Sequence, residues 1–427
     1  MSAGARPGLL RVSLGLLPLQ LVLRAAEASL PIFFSAWFGR SRATDAFTLL
    51  WALFGLAGAL VFSAFQDSAL APVLIGIAAR DARAAQRFVG AVLGRTLAYG
   101  GALALLCGLA GLAVARVVTG DAWPSLVVPF AALLVATGAR TLFAGVLNAE
   151  ERYRAAPLAT ALGSLVAIAA VAALHDAIGT AAAPVGLLAG ELLAAAVLWS
   201  AAGAPSPNLD RPLELGTLAR LVGAEIGGNV VARLNPVADQ IVAATFLAGG
   251  GATLLRYAGD LALAPTSLLQ AALLSVLLSR LSRSAVAGDR VAVAATVRRT
   301  LAVVVPLLAA AALVVGLVRA PLCALAFAHG AMDGAAVAQM ADVVPAFLVG
   351  VPGFGALLVL ARAHVALQNS RILPRVGLVS AATNLALDLA LVGPLGLFGI
   401  ALATSITSTV VAAVFAVALR RRLREAP

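Results

Sequence analysis

Apolar runs long enough to cross a bilayer recur along the whole 427-residue chain, separated only by short polar breaks. A helix that crosses the hydrocarbon core uses about 20 consecutive apolar residues, and a chain that is 62% hydrophobic can supply about twelve or thirteen of them. Charged residues make up only 11% of the chain, against about 25% in soluble domains. A cytosolic enzyme or a secreted module is therefore excluded, and the sequence reads as a polytopic, all-α protein of the inner membrane.

A spanning window predicts helices at 8–37, 45–79, 88–118, 123–147, 155–175, 181–202, 217–247, 252–280, 293–319, 338–367, 373–392 and 396–420. The start resembles a signal peptide, with Arg6 and Arg11, an apolar run at 14–23 and small residues near Ala28. The apolar stretch resumes from Pro31 to Trp37, so this segment reads as an uncleaved first helix. With the N-terminus inside, nineteen arginines fall in cytoplasmic segments, and only Arg40, Arg42, Arg116 and Arg319 fall outside. Positive charge collects on the cytoplasmic side, so both termini are predicted there.

The basic residues are all arginine, which reflects a GC-rich genome more than a chosen chemistry. Loop position accounts for the net charge of +11 better than a nucleic-acid partner does. Cys107 and Cys323 lie in apolar runs without metal-ligand spacing, as buried small hydrophobes do.

The break at 203–216 is the only proline-rich polar stretch of any length, and it separates an N-terminal six-helix lobe, 1–202, from a C-terminal one, 217–427. The halves echo each other. Residues 79–98 read like 287–302 at the entry to the third helix of each half, and 147–165 read like 367–385. Parallel repeats of six spans point to a transporter with a central cavity between two lobes, for which a monomer is sufficient.

Ionisable groups inside the membrane are costly, so each is a candidate for function. Arg24 and Glu27 lie one turn apart in the first helix, where they can also simply pair. Asp45 and Asp67 are in the second, Arg140 and Glu191 in the fourth and sixth, and Arg362 and His364 in the tenth. Helix seven concentrates Glu225, Asn229, Arg233, Asn235, Asp239 and Gln240 around Pro236, whose missing amide breaks the helical ladder. Helix eleven places Asn384 and Asp388 at i, i+4 on one face, and helix twelve adds Thr404. Carboxylate, amide and hydroxyl oxygens without sulfur or imidazole suit a hard cation such as sodium. The alternative is an interhelical hydrogen-bond cluster in which Asn384 satisfies Asp388 without an ion. Arg256 and Asp260 are also spaced i, i+4, either as a phosphate-binding arginine with its neighbour or as a plain intrahelical salt bridge.

These residues resemble the MurJ/MviN family of lipid II flippases, within the wider multidrug and oligosaccharidyl-lipid exporter superfamily. Phe38 and Gly39, Thr44 to Phe47, and Pro72 to Leu74 are similar to the family's FG, TDAF and proline-hydrophobic pattern. LNAEERYRAAP at 147–157 and RYAGDLALAPTSLLQ from 256 resemble two further family segments. The resemblance runs from about residue 20 to 420. It implies an ion site at Asp239, Asn384, Asp388, the Ile400 carbonyl and Thr404, with Na+ as coupling ion. Arg24 matches one cavity arginine of the family. Leu30, Gly58, Ala59 and Asp260 fall where the family carries others, and the family's usual fourteen spans are reduced to about twelve.

The expected function is a flippase, not an enzyme, that carries a lipid II-like or other polyprenyl-linked saccharide to the outer leaflet by alternating access. Arg24, Asp45, Arg256 and Asp260 are its expected substrate contacts. The membrane potential, worth about 2.3 kcal/mol per charge per 100 mV, can assist a cation-loaded carrier. The rivals are a cation-coupled drug exporter and a membrane glycan ligase. The ligase reading has only His329 and Asp333 to place near an outer loop.

Overall fold

The computed structural model describes residues 29–62, 65, 70–229, 234–247, 249–367, 369 and 372–424. Arg24, Glu27, Asp67 and Arg233 lie outside them, and nothing is described of the Glu225 and Asn229 side chains. The described secondary structure is helical: α1 (Ser29–Phe38), α2 (Arg42–Val61), α3 (Leu70–Ala78), α4 (Ala82–Thr119), α5 (Pro124–Ala149), α6 (Ala155–Ile178) and α7 (Ala182–Ala201) in the first half. The second half holds α8 (Glu214–Asn229), α9 (Asn235–Phe246), α10 (Gly251–Val286), α11 (Arg290–Leu317), α12 (Arg319–Phe327), α13 (Gly334–Leu348), α14 (Val351–Ala366) and α15 (Ile372–Arg424).

The bounds follow local chemistry. Ser41 and Thr44 exchange side-chain and backbone hydrogen bonds at 2.8 and 3.2 Å as α2 starts. Asp289 accepts from the Ala292 amide at 2.8 Å to cap α11, and Asp333 accepts from Ala336 at 2.6 Å to cap α13. Pro124 and Pro236 stand in the first turns of α5 and α9, where a missing amide proton costs nothing. The predicted seventh span is described as α8 and α9, with residues 230–233 between them outside the described residues. The tenth is a pair, α13 and α14, bent by 45°. The eleventh and twelfth are the two arms of α15, separate helices that meet at the non-helical residue Gly396. The short helix α12 has no counterpart in the sequence expectation.

The third and ninth predicted spans became α4 and α11. These are the equivalent helices of the two halves, and both expose apolar residues, such as Leu105 and Leu106 on α4 and Val303 and Leu313 on α11. In a membrane protein such faces are solvated by lipid tails. α4 has 38 residues, about 57 Å at 1.5 Å per residue, so it extends past a hydrocarbon core of about 30 Å.

Positive-φ glycines recur at corresponding helix junctions along the chain. Gly39 and Gly250 join the first and second helices of each half, and both have positive φ, 58° and 95°. Gly120 and Gly330, at 86° and 59°, do the same after the third helix, and Gly179 and Gly396, both at 57°, after the fifth. Glycine adopts these conformations without the steric cost of a Cβ.

The chain forms two compact units. One comprises Met1–Trp37, Leu53–Arg116 and Asp121–Glu225, and the other Phe38–Ala52, Val117–Gly120 and Ile226–Pro427. In the first, Phe54 stacks on Phe130 with ring centroids 5.6 Å apart. Helices α6 and α7 cross at small residues: a Cβ on Gly163 or Gly190 would collide with the carbonyl oxygen of the other. Gly186 and Gly190 form a GxxxG pair on α7, the spacing that lets membrane helices approach backbone to backbone. The segment at 203–213 is bound along α4. The Asn208 amide donates to the Gly90 carbonyl at 3.0 Å and its side chain to the Arg87 carbonyl at 3.2 Å, and a Cβ on Gly90 or Gly94 would strike this segment's backbone. In the second unit, Tyr257 stacks on Phe327 at 5.3 Å, and Val351, Met340 and Ile400 are fully buried.

Candidate functional site

Within the second unit, α9 and the two arms of α15 bring together the polar residues singled out in helices seven, eleven and twelve. Asp388 and Thr404 each lie about eight residues from Gly396, roughly 12 Å along a helix, which sets them at the same depth and near the middle of a 30 Å core. Asn384 lies one turn further along the first arm. Its amide nitrogen donates to Asp388 Oδ2 at 2.9 Å and to Asp239 Oδ1 at 2.5 Å. The Thr404 hydroxyl is 3.0 Å from Asp239 Oδ2 and 3.3 Å from the Ile400 carbonyl oxygen. Asp239, Asn384 and Asp388 are buried.

Two buried carboxyl groups this close call for a cation or a shared proton, which one amide and one hydroxyl do not supply. Two buried oxygens of this cluster, Asn384 Oδ1 and Asp388 Oδ1, have no hydrogen-bond partner among the described residues. Nearby on α9, Asn235 donates to Ser380 at 2.9 Å, while Asn235 Oδ1 and Gln240 Oε1 are also unpartnered. Oxygen acceptors around two carboxyl groups, with no sulfur or imidazole among the described residues of the cluster, are of the chemical type a hard cation takes. Asp239, Asn384, Asp388, Thr404 and the Ile400 carbonyl fit that role. Sequence reasoning did not select Asn235 and Gln240 for the site, although both stood in the polar run of helix seven.

The expected substrate contacts do not gather in the same way. Arg24 lies outside the described residues. Asp45 is buried in the second unit, and its carboxylate accepts from the Gly250 amide at 2.6 Å and from the Thr253 amide and hydroxyl at 2.9 and 3.0 Å. It stands in the first turn of its own helix, α2, and its carboxylate also supplies the N-terminal acceptors of α10. Arg256 meets Asp260 at 3.6 Å and lies over the Trp51 ring, 4.6 Å from its centroid. The intrahelical pair is therefore formed, with a cation–π contact that spacing alone did not reveal.

Arg140, Glu191 and His364 find partners, and His364 does not meet Arg362. Arg140 and Glu191 form an ion pair at 2.5 Å inside the first unit, joining α5 to α7. His364 is buried, with one ring nitrogen 3.0 Å from the Phe415 carbonyl and the other 3.2 Å from the Asn369 amide. Asp333, besides capping α13, meets Arg40 at 3.2 Å. The Ala336 amide, followed by the Arg40 guanidinium, holds its carboxyl below the usual range. The His329 ring is 2.8 Å from the Leu325 carbonyl. Each member of the pair that a glycan ligase would need is thus engaged elsewhere.

Apolar helices long enough to cross a bilayer, joined at positive-φ glycines and carrying a buried cluster of polar oxygens, define a polytopic membrane protein of transporter type. The family model for the lipid II flippase MurJ matches residues 34–426, and the chain belongs to that family. It is accordingly a multi-pass membrane transporter, not an enzyme, of a family that handles a lipid-linked substrate.

Solved structures agree in fold. A lipid II flippase MurJ in an inward closed conformation superposes with a TM-score of 0.79 at 17% identity, over 94% of this chain and 86% of that one. An inward-facing multidrug resistance MATE family transporter of the MOP superfamily gives 0.80 at 14% identity, over 94% of both chains. A MOP superfamily transporter from Pyrococcus furiosus gives 0.62 at 15% identity, over 97% of this chain and 95% of that one. No protein of curated function matches the sequence.

Proposed function

We propose that the protein is a sodium-linked flippase that moves a lipid II-like or other polyprenyl-linked saccharide from the inner to the outer leaflet by alternating access of its two six-helix halves. Both termini face the cytoplasm, where the arginine-rich segments belong. Membership of the lipid II flippase family supports the substrate class. The observation that carries the coupling is the cluster of Asp239, Asn384, Asp388, Thr404 and the Ile400 carbonyl, with two of its buried oxygens unpartnered.

A bound sodium ion would supply positive charge to two carboxylates that the protein leaves short of it. The chain's own residues do the rest. Asn384 holds Asp239 and Asp388 together, and Thr404 ties the second arm of α15 to α9 through Asp239. The cluster can therefore tie helices seven, eleven and twelve into one packing unit in the loaded protein and release them when empty.

The test is the thermal stability of purified protein in sodium and in potassium at equal ionic strength. A sodium-specific rise that Asp388→Ala abolishes supports the ion site by linkage. Equal melting temperatures in both salts reduce the cluster to interhelical hydrogen bonding.

A second reading, a cation-coupled drug exporter, draws on the Arg256 environment. An aromatic ring and a half-exposed carboxylate beside one arginine offer less net positive charge than a pyrophosphate calls for. Transport of a lipid-linked saccharide by reconstituted protein, with no transport of organic cations, separates the two.

A further inference from the structure

The two arms of α15 enclose a second feature, at the opposite end from Gly396. It is a groove of about 870 Å³ whose wall is largely valine, with Val379, Val414 and Val417 among its lining. Val379 and Val417 are 44% and 49% exposed. Arg375, Arg421 and Arg422 line the same groove, and no acidic residue among the described residues does.

Position decides what this groove meets. Arg375 and Arg421 lie about 21 and 25 residues from Gly396, roughly 32 and 38 Å along the two arms. That is about one hydrocarbon thickness, so the arginines stand at the headgroup level while the valines lie in the acyl region. Exposed valines at that depth are solvated by lipid tails, and a basic pocket between membrane helices is a headgroup site. Two arginines, Arg375 and Arg421, select a net negative headgroup over a zwitterionic one.

We propose that this groove binds one anionic glycerophospholipid, with its phosphate held by Arg375 and Arg421 and an acyl chain laid along Val379, Val414 and Val417. The arms that form the groove also carry Asn384 and Asp388 on one side and Ile400 and Thr404 on the other. The bound lipid thus braces the two arms at the end remote from the glycine that joins them. This assignment does not depend on the sodium reading.

The test uses the purified full-length chain in neutral detergent, with lipid retention read by native mass spectrometry and stability by thermal unfolding. The probes are phosphatidylglycerol, phosphatidylcholine and inorganic phosphate. Phosphatidylglycerol is expected to stay bound and raise the melting temperature, and the other two are not. Each surface arginine contributes a factor of about five to anionic-lipid binding, so Arg375→Gln with Arg421→Gln weakens retention about thirtyfold. Arg375→Lys with Arg421→Lys keeps most of it. If the glutamine variant aggregates, Val417→Trp fills the groove from an exposed position and must expel the lipid just as well. Equal retention of phosphatidylcholine, a full shift from phosphate alone, or unchanged retention in the groove variants would each overturn the proposal.

Discussion

Gly179 and Gly396 adopt the same backbone conformation, φ 57° with ψ −139° and φ 57° with ψ −135°, at equivalent breaks in the two halves of the chain. This region of φ and ψ is essentially closed to residues with a Cβ. A Cβ would meet nothing within 4 Å at Gly179 and only the tip of Leu247 at Gly396, so the demand comes from the backbone and not from packing. Gly179→Ala and Gly396→Ala should each destabilise the protein by about 1–3 kcal/mol. Gly393→Ala, at a helical site where nothing lies within 4 Å, should be neutral or mildly stabilising. Melting temperatures of the three variants in one detergent check the contrast, and equal effects at all three would remove the backbone argument.

The carboxylate of Asp45 supplies the N-terminal acceptors of α10, whose own N-cap residue, Gly250, has no side chain to offer. Asp45→Ala leaves two amides and a hydroxyl without their acceptor in a buried place, a loss of about 1–3 kcal/mol for each donor that water does not reach. Asp45→Asn keeps one acceptor oxygen and should retain part of the stability. Thermal unfolding of the two variants tests this order. If alanine and asparagine lose equally, the carboxylate charge at the helix end matters more than the hydrogen bonds.

The number of spans was legible because hydrophobic length at this scale has one reading in a membrane protein. The i, i+4 spacing of Asn384 and Asp388 was equally readable, and the structure closes it with a hydrogen bond. Arg140 and Glu191 could be named together from the sequence as an interlobe or interfacial pair, but that they meet inside one unit, 51 residues apart, follows only from the α5–α7 packing. The same limit hid the bond from Asp45 to Gly250 and Thr253, which lie more than 200 residues further on. Local periodicity fixes which face a residue occupies, whereas its partner depends on which helices meet.

Arg140 and Glu191 are each less than one-fifth exposed, so their pair is a buried one. Removing one partner strands a charge in low dielectric and should cost about 3–5 kcal/mol, whereas replacing both by apolar residues of similar volume is close to neutral. Arg140→Met and Glu191→Leu alone are therefore expected to lower the melting temperature more than the double variant does. A double-mutant cycle in detergent measures the coupling. Additive losses would mean that the two side chains do not depend on each other.

Thr404 offers the sharpest separation between an ion site and a plain hydrogen-bond cluster, because its hydroxyl serves both. It lies 3.0 Å from Asp239 and would also be an oxygen ligand for a cation. In potassium, Thr404→Val should cost about 1 kcal/mol, the net worth of one hydrogen bond, whichever reading holds. In sodium the readings diverge. If Thr404 is a ligand, valine raises the sodium concentration needed for half-maximal stabilisation by about tenfold, which is about 1.4 kcal/mol in binding. Thr404→Ser keeps the hydroxyl and should leave that midpoint near its original value. Melting curves across a sodium series at constant ionic strength give the midpoint for all three proteins. If valine shifts the potassium baseline but not the sodium midpoint, Thr404 only ties α15 to α9, and the cation is held by the carboxylates and Asn384 alone.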